Sequence, residues 1–239
     1  MPLPKVDVIV SEWMGYCLLY EAMLDSVLWA RDHYLASDGL MIPSHTTLRM
    51  APLSDPDYIT EHVTFWRSVY GFSMTSMLTS IHDDVSILPL PPGRLGSTPV
   101  TFLELPLHEI QRQDLSFVKP FQVVLDRDLD ELDGWVIWFD TFFMPSRESQ
   151  LPASGSAEKW TGPGVAFTTG PGGPETHWKQ GVLLIDHQGE DTRRLRAGTT
   201  LSGQISYRKR KENSRELEIE ISWEVPGEQE KGRQMWVMR

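Results

Sequence analysis

Two carboxylates, Glu12 and Glu21, flank a loop with no other charge, Trp13-Met14-Gly15-Tyr16-Cys17-Leu18-Leu19-Tyr20. Acids in so apolar and aromatic a setting suit a cation that donates several hydrogen bonds. A guanidinium is the best match, because its planar fork of N–H groups pairs bidentately with carboxylate oxygens. Taken singly, each acid has a plainer reading: Glu12 as a turn or helix cap, Glu21 as a first-turn acid that favours the helix dipole. Far along the chain, Thr176-His177-Trp178-Lys179-Gln180 gathers a second set of polar and aromatic groups. A lone histidine there is ordinarily a structural hydrogen-bonder. The other histidines (His33, His45, His62, His82, His108, His187) show no ligand spacing with one another or with acids. The single cysteine, Cys17, excludes an internal disulfide and a Cys-based zinc site, and no metal is expected.

The elements that must position these groups are partly legible. Val6-Asp7-Val8-Ile9-Val10 reads as a buried strand. Glu12 then lies just past its carboxyl end, where open α/β sheets bind ligands. Behind the loop Leu24, Val27, Leu28, Arg31 and Leu35 keep helical spacing, with Asp38-Gly39 as the stop signal. The organisation changes near Ile42-Pro43. Beyond it the chain is mostly β, with strands expected at 48–51, 100–105, 121–125, 135–143, 182–185, 201–207, 217–223 and 234–238. Leu217, Ile219, Ile221 and Trp223 alternate with Glu216, Glu218, Glu220 and Ser222, the pattern of a half-buried antiparallel strand. Many short strands between turn signals suggest a barrel or sandwich.

One segment departs from this rule. Asp55-Pro56 is a good N-cap and first helical position. Ile59, Val63, Trp66 and Tyr70 then share one helical face, and Met74, Met77, Leu78 and Ile81 form a second stripe, predicting a helix pair. Most such faces pack on their own core. The stretch 146–164, rich in Ser, Gly and Pro, reads as a mobile loop. Of two basic clusters, Arg193-Arg194-x-Arg196 and Arg208-Lys209-Arg210-Lys211, the second reads as a solvated hairpin end.

Composition narrows the function classes. A formal net charge of -11 argues against general nucleic-acid binding and suits long-range attraction of basic protein segments, although surplus acid also keeps a protein soluble. No apolar run is long enough to cross a bilayer, so no membrane partner is expected. No secretory signal is visible. With one cysteine, this favours a reducing compartment, cytoplasm or nucleus.

The loop resembles the double-E hairpin of the protein arginine methyltransferases. Ser11-Glu12-x-Met14-Gly15-Tyr16, a short apolar stretch and Glu21-x-Met23-Leu24 match its pattern. Thr176-His177-Trp178-Lys179-Gln180 is similar to the family's THW loop, and Phe65-Trp66-x-x-Val69-Tyr70-Gly71-Phe72 to its dimerisation arm. The pattern is most similar to the type I enzymes, which make monomethyl and asymmetric dimethylarginine. The resemblance implies a mostly β fold: an antiparallel β-barrel with an inserted helical arm, preceded by a strand–loop–helix remnant of a Rossmann-like methyltransferase domain. Residues 1–42 are the remnant carrying the double-E loop. Residues 43–239 are the substrate-binding barrel, with the arm at about 54–82.

By resemblance Glu12 and Glu21 hold the acceptor guanidinium and draw its charge to one side, leaving the other terminal nitrogen to attack a methyl-sulfonium. Met14, Tyr16 and Met23 line the site. His177 lies beside the substrate arginine, where in the family it pairs with an acidic residue from ahead of the cofactor domain to help move the released proton. Its place carries over but that relay does not, and Trp178 packs at the seam, where an indole can also meet a cation. The implied partners are arginine-containing protein substrates and, for the full-length family, a second copy in a homodimer. S-adenosyl-L-methionine is the implied cofactor of the full-length enzyme, with none expected bound to this chain. No strand leading into a Gly-rich loop precedes Val6, and the proline-broken stretch 162–174 reads as a surface loop. The rival function is a non-catalytic β-barrel interaction or dimerisation module that kept these loops by descent. Without its sheet neighbours and cofactor, the segment 1 to about 20 is expected to be displaced, disordered or paired with another molecule.

Overall fold

The computed structural model describes residues 5–152, 155–187, 194–225 and 231–239. Met1, Pro2, Leu3 and Pro4 at the start and Arg193 of the first basic cluster lie outside the described residues.

The first layer is β1 (Val6–Val10), the double-E loop, α1 (Leu24–Tyr34) and β2 (Leu35–Ile42). β2 leaves directly from the last turn of α1 and pairs in parallel with β1, Val8 to Val10 against Leu40 to Ile42. Three expectations change. The segment after Lys5 is neither displaced nor unpaired, because β2 supplies a ladder. The helix ends at Tyr34, and Asp38-Gly39 lies within β2, at the irregularity where the ladder to β1 jumps from the Val6–Leu35 pair to the Val8–Leu40 pair. β1 is also not buried: Val10 is 73 % exposed and Val8 48 %, since no described element covers that face.

The remaining strands are β3 (His45–Leu53), β4 (Ser86–Leu88), β5 (Val100–Pro106), β6 (Phe117–Val124), β7 (Gly134–Phe143), β8 (Val165–Thr168), β9 (Gln180–Leu184), β10 (Thr200–Lys209), β11 (Leu217–Glu224) and β12 (Lys231–Met238). One sheet runs β4-β9-β7-β3-β5 with β8 also on β7, and the other runs β12-β11-β10-β6. Their pairings are antiparallel. The sheets meet at two seams of the barrel, a bridge between Asp84 and Val237 and another between Ser97 and Leu125.

Period-two alternation gives β7 two buried faces. Trp135, Ile137 and Phe139 join the interior with Leu48, Ile205, Tyr207, Ile219 and Trp236. Val136 and Trp138 point outward, into a second cluster with Ala51, Leu53, Val182 and Leu184. The base of the arm covers that cluster with Tyr58, Ile59, Val63, Leu78 and Ile81.

The arm is not the predicted helix pair. Asp55 caps α2 (Pro56–His62) by accepting from Tyr58 N–H, but the α-helix ends there and gives way to short 3-10 turns at Thr64–Arg67 and Thr75–Leu78. Between them Val69 and Phe72 close a tight hairpin, with Tyr70 and Gly71 at positive φ. The single face read from spacing is thereby split. Ile59 and Val63 pack on the barrel, whereas Tyr70 is 97 % and Phe72 74 % exposed.

Two further expectations are corrected. The described part of 146–164 is tied down: Thr47 Oγ1 donates to Gly155 O, Arg49 to Ser156 Oγ, and Ala157 N–H to Asp140 Oδ2. Trp160 packs edge-on to Phe142. Sequence could not show that the outer sheet face would supply these partners. Nor is the second basic cluster merely solvated, since Lys209 binds Asp25 and Arg210 binds Glu216.

Candidate functional site

The double-E loop is built on strained backbone. Cys17, Leu18, Glu21 and Ala22 all lie at positive φ, a region that non-glycine residues seldom occupy. Burial of Trp13, Cys17, Leu18 and Leu19 in the main core holds this geometry. Gly15 and Leu18 exchange two backbone hydrogen bonds of 2.9 Å. Gly15 has to be glycine for lack of space, because a Cβ there would meet Tyr20 O at 2.1 Å.

Glu12 is exposed and follows Ser11, whose N–H donates to Ile42 O at 3.0 Å, so it sits at the carboxyl edge of the β1–β2 pair. Met14 is buried in the core, while its carbonyl accepts from Trp178 Nε1 at 2.7 Å. Tyr16 is half exposed and stacks on Tyr20, ring centroids 6.3 Å apart. Met23 is half-buried against the core. Glu21 is half-buried; its Oε1 accepts from Arg215 Nη2 at 2.6 Å, and its N–H donates to Arg215 O at 2.8 Å.

The second loop closes against the first. Trp178 stacks on Phe167 and meets Phe139 edge-on. His177, exposed, lies with its ring 3.9 Å from that of Trp178. Gln180 Nε2 donates to Thr169 O and its Oε1 accepts from Leu90 N–H, which anchors the loop's end. Next comes Gly181, where a Cβ would stand 2.2 Å from Cys17 Sγ. The structure thus joins the two loops at Met14–Trp178 and Cys17–Gly181, and places His177 at the solvent side of that junction. Burial pushes the Cys17 thiol up to about 12, so it stays protonated and is no nucleophile.

Beneath Glu21, Asp25 accepts from Arg112 Nε at 2.9 Å and from Lys209 Nζ. Burial pushes its carboxyl up, but the hydrogen bonds from Lys209 and Arg112 outweigh this and hold it below the usual carboxylate range. Sequence reading missed Arg215, Asp25 and Gly181. For Arg215 no signal was available, since it lies 194 residues from Glu21.

The arrangement leaves Glu12 exposed and puts a guanidinium, that of Arg215, on Glu21, so this loop does accept a planar cation. Among the described residues the Gly-rich stretch does not form a nucleotide cradle. The glycines of 162–174 serve the barrel instead: Gly164 packs against the Phe143 carbonyl and Gly170 against the Trp138 indole. These residues do not fit S-adenosylmethionine. Among the described residues no group of three or more His, Cys, Asp or Glu is arranged for a metal, and no helix is long and apolar enough to cross a membrane.

A family model described as the arginine methyltransferase oligomerization subdomain matches residues 44–228. The chain is 39% identical over 227 residues to the ribosomal protein arginine N-methyltransferase rmt3 of Schizosaccharomyces pombe, covering 95% of this chain and 40% of that protein. It is 34% identical over 223 residues to the protein arginine N-methyltransferase 1 of Saccharomyces cerevisiae, covering 93% of this chain and 59% of that protein. Among solved structures, the Trypanosoma brucei PRMT1 enzyme–prozyme heterotetrameric complex with AdoHcy matches with a TM-score of 0.82 at 26% identity, over 99% of this chain and 69% of that one. Protein arginine methyltransferase 10 of Arabidopsis thaliana matches with a TM-score of 0.75 at 25% identity, over 98% of this chain and 71% of that one. The chain therefore spans between 40% and 60% of the length of its first curated relatives.

Proposed function

Because the chain belongs to the protein arginine N-methyltransferase family, we propose that it takes part in methylating the guanidino nitrogen of arginine in proteins, supplying the acceptor side. In this reading residues 1–42 end a methyltransferase domain, and residues 43–239 form the substrate-binding and dimerising barrel. The carrying observation is the junction of two distant loops, Trp178 Nε1 on Met14 O and Gly181 against Cys17, which fixes the acidic loop on the barrel. A full-length homodimer is supported by the oligomerization subdomain that the chain matches.

S-adenosylmethionine, when bound, supplies an electrophilic methyl on a sulfonium; the AdoHcy of the Trypanosoma brucei relative supports this donor. In this reading the 239 residues supply the acceptor side and the donor is held by the rest of a full-length enzyme, so the chain by itself is expected to transfer no methyl group. Glu12 and Glu21 accept N–H bonds from the acceptor guanidinium, which is protonated at any physiological pH. Their charge pulls the positive character toward one side and leaves the other terminal nitrogen electron-rich. Tyr16, Met14 and Met23 limit where that nitrogen can point, and positioning contributes a large share of the rate. His177, beside Trp178 at the mouth, takes up the released proton. The reaction takes place in cytoplasm or nucleus.

The test uses the complete protein. Glu12→Gln or Glu21→Gln keeps shape and removes charge, and should lower kcat by about 10²–10³-fold, about 2.7–4 kcal/mol, with circular dichroism unchanged. Rates within about tenfold of wild type would make both acids structural. One observation favours a non-catalytic interaction module, the exposed arm tip at Tyr70 and Phe72. Dimerisation of the complete protein without transfer to any arginine peptide would establish that reading instead.

A further inference from the structure

We propose that Arg215 is an internal competitor for the acceptor arginine: its guanidinium occupies Glu21, and an incoming arginine must displace it. The inference rests on the reading of Glu21 as an acceptor ligand. Arg215 Nη2 donates to Glu21 Oε1 at 2.6 Å, and the same residue's carbonyl accepts from Glu21 N–H at 2.8 Å. The side chain therefore does not reach Glu21 by chance of rotamer; its backbone is fastened there too.

The hairpin that delivers it is braced. β10 and β11 bring residues 210 to 216 over the acidic loop, and Arg210 Nη1 crosses the turn to Glu216 Oε2 at 2.6 Å. Asn213 Nδ2 donates to Glu216 Oε1 at 2.9 Å, and Asn213 Oδ1 accepts from Arg215 N–H at 3.1 Å. At the foot of the hairpin Lys209 holds Asp25, in the first turn of α1. With the backbone pinned on both sides, the moving part is the Arg215 side chain. It is 65 % exposed, so its guanidinium can swing into water at small cost while Glu21 stays in place. A substrate guanidinium makes the same contact with Glu21 and, on the reading that pairs the two acids, adds bonds to Glu12, so it wins the exchange. A lysine or a neutral side chain has less to offer.

An exposed ion pair is weak, so the competition is modest and screened by salt. In the complete protein Arg215→Ala should lower KM for a peptide with one arginine among glycines by about two- to fivefold, kcat unchanged, with the difference shrinking as salt rises. Direct binding of that peptide, followed by fluorescence anisotropy, should tighten by the same factor. Its citrulline twin should bind the two proteins alike. Arg215→Gln is the second variant, in case alanine disturbs the hairpin. An unchanged or raised KM, or a fall in kcat, would overturn the inference and make Arg215 a positioning group for Glu21. The premise fails separately: if Glu21→Gln leaves methyl transfer intact, Glu21 is no acceptor ligand whatever the Arg215 variants do.

Discussion

Gly181 lacks a side chain at the one place where the acidic loop presses its cysteine onto the barrel. Gly181→Ala should therefore overpack the junction, costing about 1–3 kcal/mol of stability in denaturant unfolding. In a Cys17→Ala background, with the sulfur gone, the same change should cost less. Equal cost in both backgrounds would mean that the two residues do not compete for space. His108 is a second residue whose setting reads as pH dependence. Its Nε2 accepts from Met41 N–H at 2.9 Å, and burial, then the nearby Arg147 charge, pushes its pKa from 6.5 to about 4. A depressed pKa favours the neutral ring in the folded state, so its contribution is full above about 6.5 and is lost as pH falls toward about 4. Wild type should thus lose stability relative to His108→Gln as pH falls from about 6.5 toward about 4, the window that shift defines. A pH-independent difference would place the cause elsewhere.

At the scale of elements, the arm divides into a base that serves the barrel and a tip, Tyr70 and Phe72, that stays exposed among the described residues. Val63 lies 4 % exposed in the outer cluster, and Val63→Ala should destabilise by about 1–2 kcal/mol, the loss of two buried methyl groups. Tyr70→Ser combined with Phe72→Ser should leave the melting temperature unchanged and weaken self-association of the complete protein in sedimentation. A stability loss from the tip pair would show that the tip packs on its own barrel. The spacing Ile59, Val63, Trp66, Tyr70 presented these as one face because helical geometry was assumed to continue. Val63 leaves helical φ, at -115°, and the turn at Tyr70-Gly71 reorients everything beyond it.

For the whole molecule, the consequence concerns the methyl donor. Isothermal titration of the 239-residue chain should show no micromolar binding of S-adenosylmethionine, because within its Gly-rich stretch 162–174 Gly164 and Gly170 pack on barrel residues instead of forming a strand-to-helix turn. Micromolar binding would reveal a nucleotide site elsewhere in the chain. The acidic balance of -11 also predicts that the complete protein captures arginine-rich substrates faster at low salt. If kcat/KM is flat with ionic strength, the charge serves solubility alone.

The sequence by itself determined the acidic loop as a loop, β7 as a strand from its unbroken apolar run, and the strands whose apolar residues recur every second position, β11 most cleanly. Those signals are local: a turn needs particular residues, and a half-buried strand alternates wherever it packs. Tertiary structure alone decided the partners. Leu40 to Ile42 became strand because β1 offered a ladder, and Asp38-Gly39 took the irregularity just before it. The stretch 155–160 became ordered because Thr47, Arg49 and Asp140 faced it. Trp178 found Met14 across 164 residues and Arg215 found Glu21 across 194. Hydrogen bonds and ion pairs between residues so far apart leave no periodicity in a chain; they exist only once the barrel has closed and the sheet register has set which side chains meet.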